Sequence, residues 1–158
     1  MTNPPPDNTD IEIERENDRH EAEIMQRTLE GSLERERLVM ARRGQGVFRR
    51  NVEQIETSCR VTGVRDLQHL RASHIKPWRD SSDFEKLDGN NGFLLSPHVD
   101  RLFDRGYISF ENNGDLVVSD QLDREVLNKW NITGEFNAGV MRDEQIPYLE
   151  EHRAKILK

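Results

Sequence analysis

Hydrophobic residues are spaced unevenly along the chain, and their spacing divides it into three parts. Residues 1–10 place three prolines among polar side chains, which predicts a disordered start. From about residue 11 to 43 the apolar positions, such as Leu33 and Leu38, form one thin helical stripe. This stripe predicts a long helix that needs a partner surface. Apolar positions are denser in residues 44–158, which we expect to form the folded domain.

The first half of this domain is predicted to be a short helix followed by two strands. Phe48 and Val52 lie at the helical spacing that buries one face. Residues 59–67 are typical of a turn with a short strand, and residues 69–75 of a second strand. Pro77 ends the second strand, because proline cannot donate to a ladder.

The second half contains clear turn and capping signals. A loop rich in glycine and asparagine at 89–92 leads into an apolar run, and a helix at 96–106 begins with serine and proline and stops at glycine. Residues 107–119 predict a β-hairpin around an Asn-Asn-Gly turn. Two further helices are predicted at about 120–130 and 143–157, so the predicted fold class is α+β.

Composition changes this picture in two ways. The net charge is −7, yet residues 1–40 carry 11 acidic and 5 basic side chains, whereas residues 41–80 carry 9 basic and 4 acidic ones. The basic residues at 41–80 can bind a polyanion even though the whole chain is acidic.

Cys59 is the only cysteine, which excludes an internal disulfide or a Cys-rich zinc finger. No run suits a membrane span or secretory signal, so we expect a cytoplasmic protein without a membrane partner.

Two carboxylates on the predicted helix at 96–106 are candidates for metal chemistry. Asp100 and Asp104 are four residues apart, which places both on one helix face. Such a pair is either solvated or a site for a hard cation, since Mg²⁺ binds one or two carboxylates together with waters and a phosphate.

His74 and Asn91 are candidates for acid–base chemistry. His74 sits in a short apolar run and is either a packed core residue or a base that takes a proton from water. Asn91 is either a turn residue or a group that orients the ring of His74 through its amide.

Cations cluster before and beside His74. They are either phosphate contacts, which give affinity without reading sequence, or solvated surface residues. The candidates for nucleic-acid binding are Arg42, Arg43, Arg49, Lys76 and Arg79.

Several motifs, taken together and in this order, resemble the HNH endonucleases of the ββα-metal nuclease superfamily. They are C-x-V-T-G at 59–63, ASHIKPW at 72–78, NGFLLSPHVDRLFDRGYISF at 91–110 and Q-x-x-Y-L-x-x-H-R at 145–153. The resemblance covers roughly residues 42–155. It implies a small ββα-metal core with a β-hairpin and flanking helices, and a metal-dependent DNA endonuclease that hydrolyses phosphodiester bonds.

The resemblance also implies roles for single residues. His74 becomes the general base that activates a water, and Asn91 the residue that orients it. Asp100 and Asp104 fall where the helix of the superfamily presents metal ligands. Many members carry an acidic residue or histidine directly before the base, whereas this chain has Ser73, which implies weak metal binding.

His98 is a further candidate in the catalytic region, and its role stays open. It lies two residues before Asp100, about 200° around a helix, and is a ligand, a substrate contact or a structural residue. The oxygen-rich ligand set favours Mg²⁺ or Mn²⁺ over Zn²⁺.

Two alternatives to a DNA endonuclease follow from the same features. Ser73 favours a catalytically weak HNH-fold module that binds nucleic acid or protein. The acidic arm at 11–43 favours a defence or toxin nuclease controlled by a partner, and its apolar stripe predicts a homodimer.

Overall fold

The structure, a computed structural model, describes Arg19, residues 46–133 and residues 135–158. The predicted disordered start and, apart from Arg19, the predicted helical arm lie outside the described residues. The chain divides into two units, residues 1–47 and residues 48–158, and the second unit is described below.

The second unit combines short helices with two small antiparallel sheets, as the α+β prediction requires. The strands are β1 (Arg71–His74), β2 (Gly92–Leu95), β3 (Ile108–Phe110) and β4 (Leu116–Val118). The α-helices are α1 (Val47–Glu53), which starts at the unit boundary, α2 (Asp83–Leu87), α3 (Pro97–Asp104), α4 (Arg124–Lys129) and α5 (Ile146–Lys155). Short 3-10 helices cover Leu67–His69, Trp78–Asp80 and Gly89–Asn91.

Strands β1 and β2 pair with each other, and helix α3 packs against both. The register places His74 opposite Gly92 and Arg71 opposite Leu95. All of β2 is buried, which explains its continuous apolar sequence. This unit of two strands and a helix agrees with the predicted core.

Helix α3 begins and ends where the sequence predicts. Pro97 occupies its first turn, and Gly106, just past its end, has a φ of +74°. Val99, Leu102 and Phe103 are buried, so the apolar side of α3 faces the strands. The acidic residues lie on the remaining surface of the helix.

The short strand predicted within residues 59–67 is wrong. This segment is a turn in which the Cys59 amide donates to the Val64 carbonyl at 2.9 Å and the Gly63 amide to the Cys59 carbonyl at 2.8 Å. Residues 62–69 are exposed, so this stretch does not bury one face as a strand in a sheet does.

The predicted hairpin forms from β3 and β4, and a later segment extends it. The Leu116 amide donates to the Phe136 carbonyl at 2.9 Å, and the Ala138 amide to the Gly114 carbonyl at 2.7 Å. On the other side, Arg153 of α5 donates to the Phe110 carbonyl at 2.8 Å. No helix within the described ranges has the length and apolar character to cross a membrane.

Candidate active site

His74 is the last residue of β1 and lies half-buried between two aromatic rings. Its imidazole stacks on the Phe48 ring, with centroids 3.5 Å apart and planes 9° from parallel. The Trp78 ring meets it edge-on at 5.5 Å. These contacts restrict rotation of the imidazole and remove much of its contact with water.

A hydrogen bond assigns the protonation of the His74 ring. Nε2 lies 2.8 Å from the carbonyl oxygen of Lys86. Because a carbonyl oxygen only accepts, Nε2 carries the proton and Nδ1 carries the lone pair. Burial lowers the pKa of His74 to about 4, although the bond to Lys86 acts in the opposite direction. The ring is therefore neutral at pH 7, with an acceptor nitrogen.

Asn91 is fully buried beside His74, but its amide does not bind the imidazole. Its Oδ1 accepts from the Lys76 amide at 2.8 Å, and its Nδ2 donates to the Glu85 carbonyl at 3.0 Å. The expectation that the Asn91 side chain orients the ring directly is thus wrong, since the Lys86 carbonyl holds the ring. Asn91 instead fixes the segment 75–91, which we call the β1–β2 connection.

Helix α3 carries the three other predicted site residues. Asp100 is half-buried and Asp104 is exposed. The His98 ring meets the edge of the Trp130 ring at 5.1 Å, and burial lowers the pKa of His98. Within the described part of the chain, no three side chains of His, Cys, Asp or Glu are grouped to hold a metal ion.

The predicted phosphate contacts differ in what they bind. Arg49 donates to Glu53 and to the Leu70 carbonyl, both at 2.8 Å, so it links α1 to the start of β1. Lys76 Nζ lies 2.9 Å from Glu85. Arg79 is different, because its side chain is 76% exposed and its Nε lies as far as 3.8 Å from Asp80 Oδ2. Arg42 and Arg43 lie outside the described residues.

Comparison with known proteins identifies a similarity over part of the chain. Residues 59–111 match a family model described as HNH endonuclease. Because of this similarity, we call this range the HNH segment. The predicted resemblance is confirmed over this range, which contains β1, β2, α3 and β3. No curated protein matches the chain.

The HNH segment supports a nuclease that hydrolyses nucleic acid, a reaction for which HNH nucleases typically use a divalent metal ion. His74, Asn91, His98, Asp100 and Asp104 all lie within it. Helix α5, which lies after the matched range, contacts the β1–β2 connection through a hydrogen bond from Tyr148 to Asp88.

Two contributors to the site were missed by sequence reasoning. Lys86 acts through its backbone carbonyl, which every residue type possesses, so no sequence signal marks it. Phe48 was predicted as a core residue, and its helical spacing indicates burial but not contact with His74.

Proposed function

We propose that the chain is a metal-dependent DNA endonuclease that hydrolyses phosphodiester bonds with His74 as the general base. One observation carries this proposal: the neutral imidazole is held at the end of β1 with its Nε2 proton on the Lys86 carbonyl and its lone pair on Nδ1.

The surroundings of His74 suit proton transfer from water. Nδ1 accepts the proton, and the Nε2–H bond to Lys86 then stabilises the imidazolium that forms. Stacking on Phe48 keeps the ring in one plane. A pKa of about 4 makes the ring a weaker base than an ordinary histidine but keeps it in the accepting form at neutral pH.

The residues of α3 fit a divalent cation that prefers oxygen ligands. Asp100 and Asp104 supply two carboxylates from one helix, and Mg²⁺ or Mn²⁺ would complete its shell with waters and a phosphate. When bound, such an ion stabilises negative charge on the phosphodiester.

The substrate proposal rests on charge. DNA is a polyanion, and phosphate contacts by lysine and arginine give affinity without sequence preference. Arg79, in the 3-10 helix that follows β1, is the exposed cation that we expect to contact phosphate near His74.

The test is cleavage of supercoiled plasmid DNA with Mg²⁺, Mn²⁺, Zn²⁺ or no metal. We expect nicking with Mg²⁺ or Mn²⁺, and a loss of about 10²–10⁴-fold for His74→Ala, the usual contribution of a general base. DNA affinity should be retained. His69→Ala is the matched control, because the His69 side chain is 73% exposed. Wild-type cleavage by folded His74→Ala would contradict the role of His74.

A second experiment tests the metal ligands. Asp100→Asn and Asp104→Asn each keep the size of the side chain while removing a charge, so metal affinity and cleavage rate should fall together. Asp143→Asn, at an exposed position, is the control. Activation by Zn²⁺ alone would contradict the oxygen-ligand assignment and favour His98 as a ligand.

The second candidate function is a module that binds nucleic acid and cleaves poorly. It is favoured because Ser73 is buried, and because the described residues include no group of three metal-ligating side chains. Retained DNA binding without nicking in any metal would identify this function. The homodimer and the cytoplasmic location stay predictions, and light scattering of the full chain tests the first.

A further inference from the structure

The C-terminal helix α5 contacts the β1–β2 connection through a buried tyrosine. Tyr148 donates its hydroxyl to Asp88 Oδ2 at 2.7 Å, and its side chain is almost completely buried. Burial, together with this bond to Asp88, raises the pKa of Tyr148. The hydroxyl therefore stays protonated and donates at every pH at which the protein is studied.

A second contact joins the same helix and connection through a lysine. Lys76 Nζ lies 2.9 Å from Glu85 and 3.4 Å from Glu151 of α5. The hydrogen bond to Glu85 raises the pKa of Lys76. The Lys76 side chain is only 16% exposed, so this ion pair is less screened than an ordinary surface pair.

The two contacts lie on either side of Lys86. Glu85 directly precedes Lys86, and Asp88 follows it by two residues. Glu85 is fixed locally as well, because it forms a capping box with Ser82 at the start of α2. Helix α5 thus holds the chain after the carbonyl that binds His74 directly, at Asp88, and the chain before it through Lys76, which binds Glu85.

We infer that Tyr148, Lys76 and Glu151 are positioning residues that keep the Lys86 carbonyl on Nε2 of His74. This inference rests on the proposed function only for its effect on cleavage. Lys76 then acts within the protein rather than on phosphate, contrary to its predicted role.

The chemical consequence concerns the tautomer of His74. A neutral imidazole places its proton on either nitrogen, and the acceptor at Lys86 selects Nε2. When the connection shifts, the Nδ1–H form becomes populated, and that form has no lone pair on Nδ1. The maximum rate of cleavage should fall while DNA affinity is unchanged, because these three residues are bonded within the protein.

The kinetic experiment compares two tyrosines of the full chain. Tyr148→Phe removes only the hydroxyl that donates a hydrogen bond to Asp88. We expect kcat to fall about tenfold, which is part of the whole contribution of a general base, and KM for DNA to stay unchanged. Tyr107→Phe is the control, because Tyr107 precedes β3 and its ring packs beneath Lys158 Nζ, 4.3 Å from the centroid. A rise in KM without a fall in kcat would contradict the inference.

Lys76→Gln separates the two roles of this lysine. A positioning residue lowers kcat and leaves the salt dependence of DNA binding unchanged. A phosphate contact instead weakens DNA binding and reduces its salt dependence by about one counterion. The second result would overturn the inference for Lys76.

The spectroscopic experiment requires no cleavage, so it stands even where the proposed nuclease activity fails. Nitrogen-15 NMR of the imidazoles in the full chain reports which nitrogen of His74 carries the proton. We expect the Nε2–H form in the wild type and a measurable share of the Nδ1–H form in Tyr148→Phe and Glu151→Gln, with wild-type signals in Glu150→Gln. Glu151→Gln keeps the size of the side chain, so it serves should Tyr148→Phe unfold. A wild-type tautomer in both folded variants would overturn the inference.

Discussion

At the scale of single residues, the environment of His74 decides when it can accept a proton. An unperturbed histidine has a pKa near 6.5 and is partly charged at neutral pH. Burial between Phe48 and Trp78 disfavours the charged ring and lowers the pKa of His74 to about 4. The accepting form is therefore present throughout the neutral range.

With His74 as the proposed general base, this shift sets the pH dependence of cleavage. Only the neutral ring accepts a proton, so the rate should fall as pH decreases through the folded-state pKa, which places the acidic limb near pH 4 rather than 6.5. Between pH 6 and 8 the contribution of His74 should be constant. Initial nicking rates at saturating metal and DNA measure this, with a melting curve at each pH to verify folding. A limb centred near 6.5 that disappears in His74→Gln would contradict the expectation.

The sequence marked His74 and Asn91 as candidate site residues but did not show how they are bonded. His74 and Asn91 stand out because polar side chains next to apolar strands need partners. The partners proved to be backbone groups of Lys76, Glu85 and Lys86, whose identity depends on the path of the chain. Residue type carries no information about such contacts.

At the scale of elements, Asn91, which directly precedes β2, holds the β1–β2 connection in place through the hydrogen bonds of its side-chain amide. Its buried amide satisfies two backbone groups of the connection, the Lys76 amide and the Glu85 carbonyl. Sequence pattern predicted a turn at this position, because asparagine beside glycine is typical of turns. Burial of the side chain could not be predicted, since it depends on the loop that folds over it.

Replacement of Asn91 should destabilise the fold. Asn91→Ala leaves the Lys76 amide and the Glu85 carbonyl without their partner, and an unsatisfied group costs about 1–3 kcal/mol when it is buried. Two such groups would cost about 2–6 kcal/mol, and we expect a loss in the lower part of this range, about 2–4 kcal/mol, because both hydrogen bonds are only partly buried. Urea unfolding of the full chain measures this loss. Asn90→Ala is the neighbouring control, because Oδ1 of Asn90 accepts no hydrogen bond from the described residues. An equal loss in both variants would contradict the role of the Asn91 amide.

The elements that the sequence predicted well carry strong local signals. Helix α3 has a proline in its first turn, a glycine after its end and apolar residues at helical spacing, and the hairpin has an Asn-Asn-Gly turn. In the segment 59–67, Cys59 is buried but residues 62–67 are exposed, and the short strand predicted there does not form. Local pattern identifies an element only where the rest of the fold gives it a buried face.

At the scale of the whole molecule, His152 of α5 joins the C-terminal helix to the core. Its side chain is 1% exposed, its Nδ1 binds the Ser109 hydroxyl and its Nε2 donates to the Phe103 carbonyl, both at 2.9 Å. The ring also stacks on the Phe103 ring, with centroids 4.0 Å apart. Burial lowers the pKa of His152 to about 4, although the bond to Phe103 acts in the opposite direction.

Acid should therefore destabilise the protein through His152. The unfolded chain binds a proton near pH 6.5 and the folded protein only near pH 4, so the contribution is complete above 6.5 and is lost as pH falls between these values. The loss is about 3 kcal/mol, because each unit of pKa difference corresponds to about 1.4 kcal/mol. Urea unfolding at pH 7, 5.5 and 4.5 measures it. The pH dependence should be smaller in His152→Gln and unchanged in His69→Gln; equal dependence in all three proteins would exclude this origin.

The β3–β4 hairpin has a consequence for behaviour at high concentration. An open strand edge offers unpaired amides and carbonyls to the strands of other molecules, which promotes aggregation. Here the backbone around Phe136 and Ala138 pairs along β4, and the Arg153 guanidinium occupies the Phe110 carbonyl of β3. Because these groups occupy both edges, the short sheet is a poor site for the addition of a strand from another molecule. Substitution of Arg153 should leave the Phe110 carbonyl unpaired and promote aggregation, without changing the contacts of His74.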